Sequence, residues 1–342
     1  MKIKLFSKIY GCLLGGAIGN AFGSPFENMD YEDIEKKYGR VTDFIRPDML
    51  ESEDDNAIGL LLCKTYLKKQ GRVTSEDLAK VWLKEMEPKK YFWCMRNTYE
   101  LLKQGISPRL TGIFNIVTGS AIMAIAPVGL YNACDPEQAF IDALDIGYMY
   151  QPKLDTECAS IFASCIAEAM KPEATMKTIL EIALKKAPHT PYVSFDKRRP
   201  DNIHQTLIET LKVASGHKDI FAARKDLRKT FQWHPIDPLE VLSLTLAIFK
   251  ITNANYKNCL IAAANLGRDS DTIANLTGSL CGALYGEKVI PEEWTKKIKR
   301  ESAKLFHQVA QDFTSVVEKK CSETEKQINH LKKLMCNDNG LM

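Results

Sequence analysis

The sequence predicts an all-α fold, a compact orthogonal multi-helix bundle with a C-terminal helical extension. Three observations predict it. Apolar residues recur at helical spacing through most of the 342 residues, sustained strand-type alternation is missing, and two glycine stripes with a four-residue period stand near opposite ends of the chain. The composition, 45% hydrophobic and 26% charged with 46 Lys+Arg against 43 Asp+Glu, is that of a globular chain. A formal net charge of +3 argues against a basic nucleic-acid surface, and the abundance of Leu and Ile argues against disorder. Because single cores rarely grow past roughly 250 to 300 residues, one large domain with an appendage, or two domains, is expected; the change of pattern near Pro291 places the division between a main domain over 1–290 and a helical extension over 291–342.

The first element runs from Ile9 to Phe26, an apolar Gly-rich stretch behind Lys2, Lys4 and Lys8. Asn20 interrupts it and no small-residue cleavage site follows, so neither a signal peptide nor a membrane segment is expected. Gly11, Gly15, Gly19 and Gly23 fall on one helix face. Each interior glycine costs a helix roughly 0.5 to 1 kcal/mol relative to alanine, so the stripe implies a return, namely close approach of another backbone. Ala274, Gly278, Gly282 and Gly286 repeat the pattern, and the two smooth faces are expected to form a tightly packed central pair.

Between them the chain reads as helix almost throughout. Thr74 with Asp77 forms a capping-box pattern before Leu78, Val81, Trp82 and Met86, and Asp135-Pro136 offers an N-cap and N1 proline. Periodic apolar faces cover Asp155 to Met170, Met176 to Lys185, Asn202 to Ala214, Leu239 to Ile251 and Tyr256 to Leu266. After Pro291 a charged amphipathic pattern carries Leu305, Val309, Phe313, Val316, Ile328, Leu331 and Met335, which either packs on the body or makes an oligomer contact. The ten cysteines show no C-x-x-C pair and sit mostly in apolar helical stretches, as expected of reduced structural thiols in a cytoplasmic protein.

Chemistry is concentrated in two acidic clusters, each just ahead of a helix: Glu53-Asp54-Asp55-Asn56 and Asp269-Ser270-Asp271-Thr272. Helix capping alone accounts for one or two acceptors per helix, and both clusters exceed that need. If the two helices pack together, up to five carboxylates converge, and like charges so placed either take up protons or recruit cations. Oxygen ligands without neighbouring Cys or His favour Mg²⁺, with Mn²⁺ as the alternative, and two ions bridged by a central carboxylate are expected. Other candidates read as structure: Lys197-Arg198-Arg199 as a solvated loop, His234 beside Pro235 as a turn, and Ser120 as lacking a His and Asp partner for a triad.

With these motifs in view, the sequence resembles the ADP-ribosylglycohydrolase family. Its opening motif is matched by Gly11-Cys-Leu-Leu-Gly-Gly-Ala-Ile-Gly-Asn-Ala-Phe-Gly-Ser-Pro-Phe-Glu27, its Thr-Asp-Asp-Thr motif falls on Glu53 to Asn56, and its closing motif is matched by Gly267-Arg-Asp-Ser-Asp-Thr-Ile-Ala274. A weaker middle match spans Thr118 to Gly129. The resemblance implies an all-α fold with a binuclear Mg²⁺ cleft. It implies metal ligation by Glu53, Asp54, Asp55, Asp269, Asp271 and Thr272, a catalytic Glu27, and substrate contact at Gly119 and Ser120, where backbone N–H groups meet ribose and phosphates. Asn20, Glu53, Asn56, Gly119 and Ala124 differ from the family's usual aspartate, threonine, threonine, asparagine and arginine. The implied activity is cleavage of an N- or O-glycosidic bond to ADP-ribose in a modified protein or small molecule. The alternatives are a metal-dependent hydrolase of another ribosyl substrate, nucleosidase-like, and a catalytically silent homologue with a binding role.

Overall fold

The computed structural model describes residues 3–45, 54–190, 202–231 and 234–337, and Glu53 and Lys197 to Arg199 lie outside this set. The described residues form seventeen α-helices and five short 3₁₀ turns, with no strand among them. The all-α reading is borne out. The first third of the chain gives α1 (Leu5–Gly23), α2 (Tyr31–Tyr38), α3 (Asp54–Lys69), α4 (Ser75–Glu85), α5 (Trp93–Lys103) and α6 (Pro108–Thr111). The middle gives α7 (Ala126–Tyr131), α8 (Pro136–Tyr150), α9 (Lys153–Ala169), α10 (Met176–Lys186), α11 (Ile203–Ser215) and α12 (Ile220–Thr230). The remainder gives α13 (Pro238–Ile251), α14 (Tyr256–Leu266), α15 (Ser270–Tyr285), α16 (Glu292–Thr295) and α17 (Arg300–Asn337).

The local signals operate as read. Thr74 caps α4 in a reciprocal capping box with Asp77, and the Asp135 carboxylate accepts from the Gln138 N–H ahead of Pro136. Each satisfies N–H groups that a helix leaves unpaired at its start.

At the centre α1 lies antiparallel against α15. A Cβ placed on Gly11 would stand 2.6 Å from the Gly286 carbonyl carbon, and one on Gly15 would stand 2.8 Å from the Gly278 oxygen. Further along, Gly19 faces the backbone of Ala274 and Gly23 that of Ser270. The two smooth faces therefore meet as expected, and Tyr256, wholly buried, donates its hydroxyl to the Gly15 carbonyl at 2.9 Å. Antiparallel packing also brings the end of α1, just before Glu27, to the start of α15, where Asp269 and Asp271 stand.

Around this pair, α9 and α13 are buried along almost their whole length and complete the core. Buried Lys8 on α1 donates to the carbonyls of Ala169 (2.6 Å) and Lys171 (3.1 Å), placing a cation at the negative end of α9. Burial lowers its pKa.

The last helix divides in two. Phe306, Ala310, Phe313 and Val316 are buried against the body, with Phe313 edge-on to Tyr66. Lys319 donates to the Gln70 carbonyl at the end of α3, and Lys320 to the Tyr131 carbonyl at the end of α7. From Cys321 through Met335 every residue is exposed. Body packing thus holds for Phe313 and Val316, in part for Val309, and fails for Leu305, Ile328, Leu331 and Met335, which are exposed. The nine cysteines whose side chains are described are free, seven of them buried, and among the described residues no helix is long and apolar enough to cross a membrane.

Candidate functional site

Where α1 ends and α15 begins, the chain on either side is tied together. Asn28 donates its N–H to the Arg268 carbonyl (2.7 Å) and Arg268 donates back to Met29 (2.8 Å). The exchange demands an unusual path: Gly267 has φ +76°, and a Cβ there would run into the Met29 carbonyl, so only glycine fits. Ser270 adds a hydroxyl bond to the Gly23 carbonyl at 2.9 Å. Glu27 consequently sits beside Asp269 and Asp271, and one carboxylate oxygen from each of the three lies within 4.8 Å of the others.

The first turn of α3 faces this group and contributes Asp54 and Asp55. Asp54 accepts from the Phe92 N–H, while Asp55 accepts from Thr272 and, at 3.4 Å, from Asn275 on α15. A third wall comes from residues 118–124. There buried Asp155 on α9 accepts from two successive N–H groups, Ala121 (2.7 Å) and Ile122 (3.2 Å), and the Thr118 and Ser120 hydroxyls pair at 2.9 Å. Gln151 supports Thr118 through a 2.8 Å side-chain bond.

Together these elements enclose a cleft of about 300 Å³ lined by Glu27, Asp54, Asp55, Gly119, Ser120, Asp269, Asp271 and Thr272, with Phe92, Met95, Met123, His234 and Ile236 completing the wall. Every described residue singled out for the site borders the same space. Glu53 lies outside the described residues.

The electrostatics of the cleft are one-sided. Five carboxylates line it, and among the described residues no Lys or Arg does. Neighbouring Arg268 is committed elsewhere, gripping Glu240 on α13 with both carboxylate oxygens at 2.6 and 3.0 Å. Burial, then the charges of Asp271 and Asp54, holds Asp55 well above the usual carboxylate range. Burial with Asp271, Asp55 and Glu27 does the same to Asp269, and Asp271 and Asp54 are raised chiefly by burial. Asp271 Oδ1 is buried without a hydrogen-bond partner. An orphaned carboxylate oxygen amid hard oxygen donors and no compensating cation fits a divalent metal ion.

Two features escaped the sequence. His234, read as a turn residue, borders the cleft together with Ile236, and its lone position beside a proline carried no ligand-type spacing to reveal this. Asn20 and Asn56, two separate departures in sequence, are partners in space: both are buried, and Asn56 donates its amide to Asn20 Oδ1 at 3.3 Å. Only the packing of α3 on α1 connects them.

Comparison with known proteins agrees with this architecture. The sequence model of the ADP-ribosylglycohydrolase family matches residues 1–323. The chain is 25% identical over 315 residues to the ADP-ribosylarginine hydrolase Tri1 of Serratia proteamaculans, covering 85% of this chain and 75% of that one. It is 21% identical to the ADP-ribosylhydrolase ARH3 of Bos taurus, with coverages of 84% and 87%. Among solved structures, an ADP-ribosylglycohydrolase-related protein complex shares the fold with a TM-score of 0.66 at 17% identity, covering 92% of this chain and 99% of its own. A helical scaffold that joins an N-terminal glycine-striped helix to an Asp-x-Asp-Thr helix around one acidic cleft, matched over 1–323, makes the chain a member of the ADP-ribosylglycohydrolase family of glycosidase-type hydrolases.

Proposed function

We propose that the chain is a Mg²⁺-dependent hydrolase that releases ADP-ribose from a modified protein side chain or a small molecule by cleaving an N- or O-glycosidic bond at the anomeric carbon of the ribose. The observation that carries this reading is the convergence of Glu27, Asp54, Asp55, Asp269 and Asp271 on one cleft that, among the described residues, no Lys or Arg lines. Asp54, Asp55, Asp269, Asp271 and Thr272 would hold the metal, two ions being proposed, with Mn²⁺ as the alternative. Bound there, a divalent ion supplies Lewis acidity and lowers the pKa of a coordinated water.

The remaining work falls to the chain. Glu27 is exposed at the cleft while Asp269 and Asp271 are buried, so it is the carboxylate with access to water for proton exchange with a nucleophile or a leaving group. The five carboxylates on the cleft favour positive charge developing on the ribose ring. Backbone N–H groups around Gly119 and Ser120, aimed by Asp155 through the next two residues, are the groups that would meet phosphate oxygens, since among the described residues no Arg or Lys lines the space. Phe92 and His234 offer flat faces at the same cleft for the rest of the ligand.

The deciding experiment pairs calorimetry with Mg²⁺ and a release assay on ADP-ribosylarginine. The reading expects Mg²⁺ binding that is lost in Asp271→Ala, and release that is lost in Asp54→Ala and in Glu27→Gln while Glu27→Gln keeps its fold. Full Mg²⁺-dependent activity in a folded Asp54→Ala chain would overturn it.

A further inference from the structure

The outer half of α17 leaves an apolar seam uncovered. From Cys321 to Met335 each residue is exposed, and the match to the family stops at 323, so this spur lies largely beyond what the hydrolase scaffold requires. Cys321, Thr324, Ile328, Leu331 and Met335 are spaced alternately by three and four residues, which is a heptad seam. It continues the face that Ala310, Thr314 and Val317 bury against the body. At about 1.5 Å per residue the spur reaches roughly 20 Å past its last contact with the core.

We propose that this seam pairs with the same segment of a second copy of the chain, antiparallel, to form a weak homodimer. Charge selects both the partner and the direction. Glu325 and Lys332 flank the seam on one side, one heptad apart. When Ile328 packs on Leu331 of the partner subunit, Glu325 comes beside Lys332 of the partner subunit, and symmetry repeats the pair. A parallel pair would instead set Glu325 against Lys320 of the partner subunit, and Lys320 is already engaged at the end of α7. It would also crowd both bodies at one end, whereas the antiparallel arrangement places them at opposite ends. Two fully apolar layers, flanked by two that set Thr324 on Met335 of the partner subunit, fall short of the roughly 1,600 Å² of a standard interface, so the association is concentration-dependent.

Sedimentation velocity of the full chain from about 1 to 200 µM tests this, expecting a monomer–dimer equilibrium that weakens with salt. Lys332→Glu and Glu325→Lys each raise the dissociation constant at least about tenfold, and the double swap E325K/K332E brings it back to within about threefold of the original. Ile328→Asp removes the dimer and, being exposed and remote from the cleft, leaves the unfolding temperature and hydrolase activity unchanged. A chain monomeric throughout, a dimer indifferent to Ile328→Asp, or a double swap that fails to restore pairing each overturns the proposal.

Discussion

Replacing Gly11 by alanine tests the central helix pair at one of its close backbone contacts. In isolation the change stabilises a helix by about 1 kcal/mol. Here the new Cβ would stand 2.6 Å from the Gly286 carbonyl carbon and 2.7 Å from both Glu287 N and Gly282 O, all of them backbone. Ordinary carbon contacts start near 3.4 Å, so α1 and α15 must part by close to 1 Å along a seam where no flexible side chain can yield. Overpacking of this kind costs typically about 1 to 3 kcal/mol, which against the propensity gain leaves a net loss of up to about 2 kcal/mol, whereas the same substitution at an open helical site is a net gain. Gly59 provides the control, because it lies inside α3 with nothing within 4 Å of its would-be Cβ. Gly59→Ala should gain about 0.5 to 1 kcal/mol. Urea midpoints at unchanged m value measure both, and identical shifts for Gly11→Ala and Gly59→Ala would refute the close-packed pair.

Further outcomes follow from the acidic cleft and its supports. Asp271→Asn should lower activity at least about 100-fold while raising the metal-free stability at pH 8, because one of the mutually repelling carboxylates is gone; activity and urea midpoints measured together check the opposite signs. Asp55, Asp269 and Asp271 have folded-state values above their unfolded ones, so in EDTA their contribution is full below about pH 4 and is lost as pH rises through the raised values; saturating Mg²⁺ should flatten that slope. Arg268→Ala strands a buried carboxylate, Glu240, already pushed up to about 7 by burial, and should destabilise by about 3 to 5 kcal/mol near pH 8, less in acid where Glu240 is protonated. Thermal unfolding at pH 8 and pH 5 separates the two cases.

What could be read from sequence was whatever is local or periodic. The α14 boundaries match the apolar period from Tyr256 to Leu266, and the Thr74 and Asp77 box marks the start of α4, because caps and helix faces are properties of neighbouring residues. The glycine stripes went further and foretold a contact between distant segments, since missing side chains on one face have little other use. The supports around the site did not show. Asp155 reads as the first turn of a helix, and its hold on Ala121 and Ile122 exists only once α9 is folded beneath that loop. The amide pair of Asn20 and Asn56 and the place of His234 are likewise consequences of packing, which carries no mark in the composition or spacing of either segment. The C-terminal pattern kept one period throughout, so sequence could not locate Lys320, where the body ends and the exposed spur begins.

The union of α1 with α15 also sets a timetable for biosynthesis. Gly11 and Gly282 are partners separated by about 270 residues, and ribosomes add about 5 to 20 residues per second. For roughly 15 to 50 seconds the first helix has no α15 to rest on, although Ile9, Leu14, Ile18 and Phe22 require burial and its glycines disfavour an isolated helix. Until the Asp-x-Asp-Thr segment emerges, the burial open to α1 is against earlier neighbours such as α3 and α7. Only then does the scaffold close, and the acidic cleft is among the last parts of the molecule to exist.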